Sequence, residues 1–157
     1  MALIKSISGI RGTIGGKRGD NLTPVDIVES VAGFGAWILK STPEASVVVG
    51  RDGRISGEMV SQLAIQTLVG MGIHVIDLGY STTPTVEMYV TKAKAQAGII
   101  FTASHNPKEW NALKFLNEKG EFISAQDGAT ILAMIEEGDL HFASVDKLGK
   151  VSQAHDA

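Results

Sequence analysis

The sequence predicts an α/β fold in three layers, α/β/α, around a mainly parallel sheet with an antiparallel edge. Three observations carry that prediction. Short, mostly apolar runs recur at 45–50, 73–78 and 97–102, as in strands buried on both faces. Segments with apolar residues at helical spacing precede and separate them. After Asn106-Pro107 the pattern changes to two short segments split by a glycine-containing turn.

The elements follow in order. Thr23, Pro24 and Asp26 have the arrangement of an N-cap, a first-turn proline and a capping-box acid, with Ile27, Val28, Val31, Phe34 and Ile38 after them, so a helix runs to about Lys40. Residues 45–50 hold three successive valines, and β-branched side chains suit a buried strand. Over 57–70, Val60, Leu63, Ala64, Thr67 and Leu68 share one helix face, and Gly72 ends the segment. A second buried strand is expected over 73–78, a short helix over 85–93 and a third strand over 97–102. Residues 112–116 and 121–123, around Glu118-Lys119-Gly120, read as a hairpin that supplies the antiparallel edge. Ser124 with Asp127 opens a capped helix through about Glu137, with Ile131, Leu132 and Ile135 facing inward. From Gly138 onward, small, polar and charged residues alternate. The expected division is a domain over 1–140 and, over 141–157, the start of a linker to a further domain of a longer chain.

Composition narrows the function. A formal net charge of −3, with lysine and arginine spread thinly, provides no basic patch for nucleic acid. The absence of cysteine excludes disulfides, thiolate zinc sites and cysteine nucleophiles and is compatible with a reducing cytosol. The longest apolar stretch, 31–39, is broken by Gly33 and Gly35 and is too short to span a bilayer. The first residues lack the basic region and cleavage site of a signal peptide, so a cytoplasmic location without a membrane partner is expected.

Chemistry is expected at Thr102-Ala103-Ser104-His105-Asn106-Pro107. Ser104 follows a buried strand at its carboxyl end, the edge of an open parallel sheet where ligands bind, and Asn106-Pro107 favours a turn over a helix. Serine and asparagine in a loop also satisfy ordinary turn hydrogen bonds, so this segment alone leaves both readings open. Two glycine- and arginine-bearing segments add weight: residues 8–13, where Gly9 and Gly12 flank Arg11, and residues 50–57, where Arg51, Asp52 and Arg54 precede a helix N-terminus. All three are expected as loops at one edge. Arg51 and Arg54 suit phosphate oxygens, or pair with Asp52 or Glu58 to lock the loop; for Asp52 the structural role is favoured. No P-loop, dinucleotide fingerprint or G-x-S-x-G elbow is present. A serine so placed can carry a phosphoryl group, whose charge demands cationic or metal partners; Lys114 and Arg11 are the candidates.

T-A-S-H-N-P at 102–107 with Asn111 and Lys114 downstream, G-I-R-G at 9–12 and G-R-D-G-R-I-S-G at 50–57 together resemble the N-terminal domain of the α-D-phosphohexomutases. The resemblance spans nearly the whole chain. It implies an isomerase that moves phosphate between the 1 and 6 positions of a hexose or hexosamine phosphate through a phosphoserine and a bisphosphosugar of the glucose 1,6-bisphosphate type. Ser104 matches the phosphorylated serine, Lys114 a proton shuttle and Arg11 an electrostatic clamp. His105, Asn106, Thr102, Gly12, Asn111 and Arg51 match support for the phosphate loops. The family binds Mg2+ between the phosphoserine, here Ser104, and aspartates of a second domain. That domain's loop and the sugar-reading and phosphate-gripping loops are absent here, so the resemblance makes the other domains of a parent chain necessary partners and an isolated domain inactive. The sugar is left open among glucose, mannose and glucosamine, with a lean towards a bacterial phosphoglucosamine or phosphoglucose/phosphomannose mutase. One departure is Ala112, where many members have glycine.

Two rival readings remain: a non-catalytic anion-binding or interaction domain, and a serine-dependent hydrolase. Of the other notable residues, Trp37 is expected in the core and Trp110 beside the serine loop, where it is a candidate to shield it. His74 is expected as a packed or edge histidine, and His141 and His155 lack metal-ligand spacing.

Overall fold

A computed structural model of the chain describes residues 3–6 and 8–154. The strands β1 (Leu3–Ser6), β2 (Gly9–Thr13), β3 (Ser46–Arg51), β4 (His74–Tyr80), β5 (Ala97–Phe101), β6 (Trp110–Leu116) and β7 (Val151–Gln153) form one sheet in the order β1-β2-β6-β5-β3-β4-β7. The helices are α1 (Pro24–Ser41), α2 (Gly57–Gly70), α3 (Thr83–Lys92) and α4 (Ala125–Glu137). Strands β5, β3, β4 and β7 are parallel, whereas β6, β2 and β1 alternate in direction from β5 outward. The expected α/β fold with an antiparallel edge is therefore present.

Period-two alternation along the central strands sorts their side chains between two cores. Val47, Val49, Ile99 and Phe101 join the larger core with Ile27, Val31 and Phe34 of α1, Val60, Ala64 and Leu68 of α2 and Ile131 and Ile135 of α4. Val48 and Ile100 face the other way and pack with Val86 and Val90 of α3. Burial of such side chains contributes about 1.5–3 kcal/mol each before conformational entropy is counted. Trp37 is half-buried against the larger core and stacks on Phe34 at 5.8 Å between ring centroids.

The helix starts follow from the caps read in the sequence. Thr23 accepts from the Asp26 amide, while the Asp26 side chain accepts from the Thr23 amide, closing the capping box of α1. Ser124 caps α4 through the Asp127 amide at 3.1 Å. Helix α3 starts at Thr83, two residues earlier than expected, because Thr82 serves as its N-cap by accepting from the Thr85 amide at 3.2 Å.

Two expectations need correction, and a third segment holds a strand that the sequence did not announce. Residues 121–123 do not form a second hairpin strand: past β6 there is one bridge, Leu116 to Phe122, and the turn bond from Asn117 N to Glu121 O at 2.8 Å. One edge of β6 is occupied by β5 and the other by β2 from Trp110 to Lys114, so only its end at Phe115 and Leu116 meets residues 122–123, through that bridge and a bond from Ile123 N to Phe115 O at 3.3 Å. Residues 8–13 are largely strand rather than loop, since β2 lies between β1 and β6. The stretch expected as linker also contains β7, which pairs in parallel with β4. A 3-10 turn, Val145–Lys147, leads into it, and Lys150 N donates to His74 Nδ1 at 3.1 Å. Gly149 is required where this segment crosses Ile73, since a Cβ there would lie 1.9 Å from the Ile73 carbonyl oxygen. His141 is exposed beside Asp139, and His155 lies outside the described residues. Among the described residues no helix is long and apolar enough to cross a membrane.

Candidate active site

The site begins where β5 ends. Every residue of β5 is buried, and the chain emerges at Thr102 into a tight turn closed by Asn106 N donating to Ala103 O at 3.0 Å. It re-enters the sheet as β6, so residues 102–109 bridge two adjacent antiparallel strands at the carboxyl edge of the parallel half. Ser104 sits exposed in this turn with φ of 54°, a left-handed conformation that non-glycine residues seldom adopt.

Bonds on both sides of the residue hold that backbone. The Ser104 amide donates to Thr102 Oγ1 at 3.1 Å, and the same hydroxyl donates to Asp52 Oδ2 at 2.6 Å. The Ser104 carbonyl accepts from Arg54 Nη2 at 3.0 Å. Arg54 also reaches the carbonyls of Asn106 at 2.8 Å, Pro107 at 2.8 Å and Trp110 at 3.0 Å. Its Nε lies 3.5 Å from Asp52 Oδ2. The 50–57 segment therefore braces the serine loop through Asp52 and Arg54, matching the structural role favoured for Asp52.

Lys114 is the side chain that meets the serine hydroxyl. It projects from β6, and its Nζ donates to Ser104 Oγ at 3.0 Å. Opposite it in register is Gly9 of β2, where a Cβ would lie 2.0 Å from the Leu113 carbonyl oxygen, so glycine is needed for β2 to lie this close to β6. Arg11 pairs in register with Ala112, two residues from Lys114 on the same strand face. Arg11 and Lys114 line one cavity of about 300 Å³ together with Ser6, Ser8, Gly9 and Ala112. Arg11 is exposed and makes no side-chain hydrogen bond or ion pair among the described residues, leaving its guanidinium available to an anion.

The remaining predicted residues divide. Asn106 joins the loop brace through its carbonyl, and Thr102 joins it through its hydroxyl. His105 is exposed and makes no side-chain hydrogen bond among the described residues, so the group on Ser104 Oγ is Lys114 and not a histidine. Asn111 is fully buried: Nδ2 donates to Ser56 Oγ at 2.9 Å and Oδ1 accepts from the Ala112 amide at 2.8 Å, tying β6 to the residue that precedes α2. Gly12 is buried beside Asn111 in the β2–β6 register. Arg51 points elsewhere, with its guanidinium 4.4 Å from the ring centroid of Tyr80. Arg54, not Arg51, is the residue that reaches the serine loop. Its spacing from Asp52 marked it as a possible brace, but nothing in the sequence distinguished it from its neighbour.

The described residues do not by themselves make up a magnesium site. Among the described residues no three His, Asp or Glu side chains converge. Asp52, the carboxylate linked to the serine loop, is engaged at Oδ2 by Thr102 and Arg54 and at Oδ1 by the Arg54 amide.

Residues 3–142 match the family model described as phosphoglucomutase/phosphomannomutase, alpha/beta/alpha domain I. A phosphoglucosamine mutase of Alkaliphilus metalliredigens is 37% identical over 121 residues, covering 76% of this chain and 26% of that protein. A phosphoglucomutase/phosphomannomutase of Thermococcus kodakarensis is 33% identical over 143 residues, 89% of this chain and 31% of the relative. A solved structure from Thermus thermophilus, provisionally named a phosphomannomutase, superposes with a TM-score of 0.81 at 26% identity, covering 99% of this chain and 34% of its own. The chain thus spans between a quarter and about a third of the length of these proteins.

Proposed function

This chain belongs to the phosphoglucomutase/phosphomannomutase family, and from that premise we propose that it supplies the phosphoserine of a phosphohexomutase, an isomerase acting on a hexose or hexosamine phosphate. The observation that carries the reading is the exposed Ser104 hydroxyl, held in a left-handed turn 3.0 Å from Lys114 Nζ.

In the proposed reaction the Ser104 Oγ–P bond breaks as a P–O bond forms to a free hydroxyl of the sugar monophosphate. The sugar hydroxyl gives its proton to solvent as its oxygen bonds to phosphorus, and the departing Oγ takes one from the Lys114 ammonium, so that it does not leave as an alkoxide. The bisphosphosugar, of the glucose 1,6-bisphosphate type, turns in the site and returns its other phosphoryl group to Oγ, whose proton goes back to Lys114 while the freed sugar oxygen takes a proton from solvent. Phosphate has then moved between the 1 and 6 positions. Arg11, across the shared cavity, offsets the charge on the transferring group. Thr102, Asn106 and Asp52 hold the loop, while His105 lies at its exposed surface.

Further domains would supply sugar recognition and the grip on the non-transferring phosphate, so the domain alone would not turn over. A family Mg2+ would take one ligand oxygen from a phosphoryl group on Ser104 and the rest from outside this chain.

The test is a peptide map of the protein isolated at its natural length with phosphatases inhibited, followed by incubation with labelled glucose 1,6-bisphosphate. Phosphate on the Ser104 peptide, absent in Ser104→Ala, is the expected result. A Ser104 that is unmodified on isolation and takes no label would sink the reading and favour a non-catalytic anion-binding domain.

A further inference from the structure

We infer that Arg54 is the positioning residue of the serine loop, fixing Ser104 Oγ against Lys114 through main-chain carbonyls without touching the substrate; this rests on the phosphoserine reading above. A guanidinium has five N–H donors in a planar fork. In Arg54 the two Nη atoms serve four carbonyls, those of Ser104, Asn106, Pro107 and Trp110, and Nε faces Asp52. The side chain is only 12% exposed. With its terminal donors committed to the loop, Arg54 has none to spare for a phosphate oxygen and acts on the reaction only through the loop.

The carbonyls span seven residues of chain, from Ser104 to Trp110, so one rigid group defines the path of the whole turn. Arg54 takes the carbonyl side of Ser104. Thr102, itself hydrogen-bonded to Asp52, takes the amide side. Both restraints therefore converge on Asp52 and Arg54, which flank Gly53 in the β3–α2 connection. Left-handed backbone is unfavourable for serine, so a loop released from these bonds relaxes away from φ of 54° and carries Oγ off the 3.0 Å contact with Lys114. A lysine in place of Arg54 keeps the charge but has three donors and no planar fork, and cannot hold four carbonyls.

The test measures single-turnover transfer from labelled glucose 1,6-bisphosphate to Ser104 in the natural-length protein, with kcat, KM and melting temperature recorded beside it. Arg54→Lys is expected to slow transfer about 100-fold, the order of loss for a misplaced reacting group, with KM unchanged. Arg54→Ala should regain part of its rate in millimolar guanidinium, which an effect on overall stability would not produce. Thr102→Val, which retains Arg54 but frees the Ser104 amide, should slow transfer in the same sense and keeps the idea testable if neither Arg54 variant folds. Labelled wild type with variants of equal rate overturns this inference alone, as does a rise in KM at constant kcat. Wild type that takes no label overturns the phosphoserine reading and this inference with it.

Discussion

The two halves of the sheet are built differently. The parallel half, centred on β5, β3 and β4, lies between helices on both faces, with α1 and α2 over one side and α3 over the other. The antiparallel half, β1, β2 and β6, sends Ile10, Leu113 and Phe115 into the larger core, while its other face carries Arg11, Ala112 and Lys114 around a cavity. Strands packed on both faces have no room for a charged side chain at work. A sheet face without a helix over it can present cations to a ligand while its reverse side remains anchored. The serine loop joins the two halves, leaving the rigid half at Phe101 and entering the open half at Trp110.

If this contrast is right, substitutions in the two halves should fail in different ways. Lys114→Ala is expected to lower turnover of the natural-length protein by at least about 100-fold, the scale of a lost general acid–base group, while its urea midpoint moves little. A variant with normal turnover would remove Lys114 from the chemistry. Ile99→Ala, in the doubly covered half, should cost about 2–5 kcal/mol in equilibrium unfolding because Ile99 is fully buried on β5. A loss below about 1 kcal/mol would show that this half is not the rigid one. The smallest effect is expected at the far edge. In Gly149→Ala, the clash with the Ile73 carbonyl should release β7 and speed hydrogen exchange at the Val75 and Ala154 amides, which bond to Lys150 O and Asp77 O, with turnover unchanged. Unaltered exchange would mean that the segment accommodates a methyl group there.

The same contrast explains what the sequence revealed. Buried parallel strands and capped helices announce themselves through apolar runs and local hydrogen bonds, and β3, β5, α1 and α4 lie close to where residues 45–50, 97–102, Thr23 and Ser124 put them. Strand β2 was hidden because Gly9 and Gly12 in a five-residue strand read as loop; it exists because β1 and β6 flank it, a tertiary fact. Strand β7 is exposed along its length and bears no hydrophobic signature, so only its ladder with β4 defines it. At the site, Ser104 and Lys114 were legible as residue types at a strand end and in the next strand, and the fold brings them within hydrogen-bond distance. The choice between Arg51 and Arg54 was not legible. It depends on which side chain meets Tyr80, about thirty residues further on, and which meets the serine loop, about fifty residues further on.

The backbone angle at Ser104 has an evolutionary corollary. Glycine adopts left-handed geometry without the roughly 1–2 kcal/mol that an L side chain incurs there. Selection for thermal robustness alone would therefore drift this position towards glycine, and a population that retains serine reveals selection for its hydroxyl. Stability and activity pull in opposite directions at this one residue, so variants evolved in the laboratory for heat tolerance without an activity screen would be drawn to lose the group on which the proposed chemistry depends.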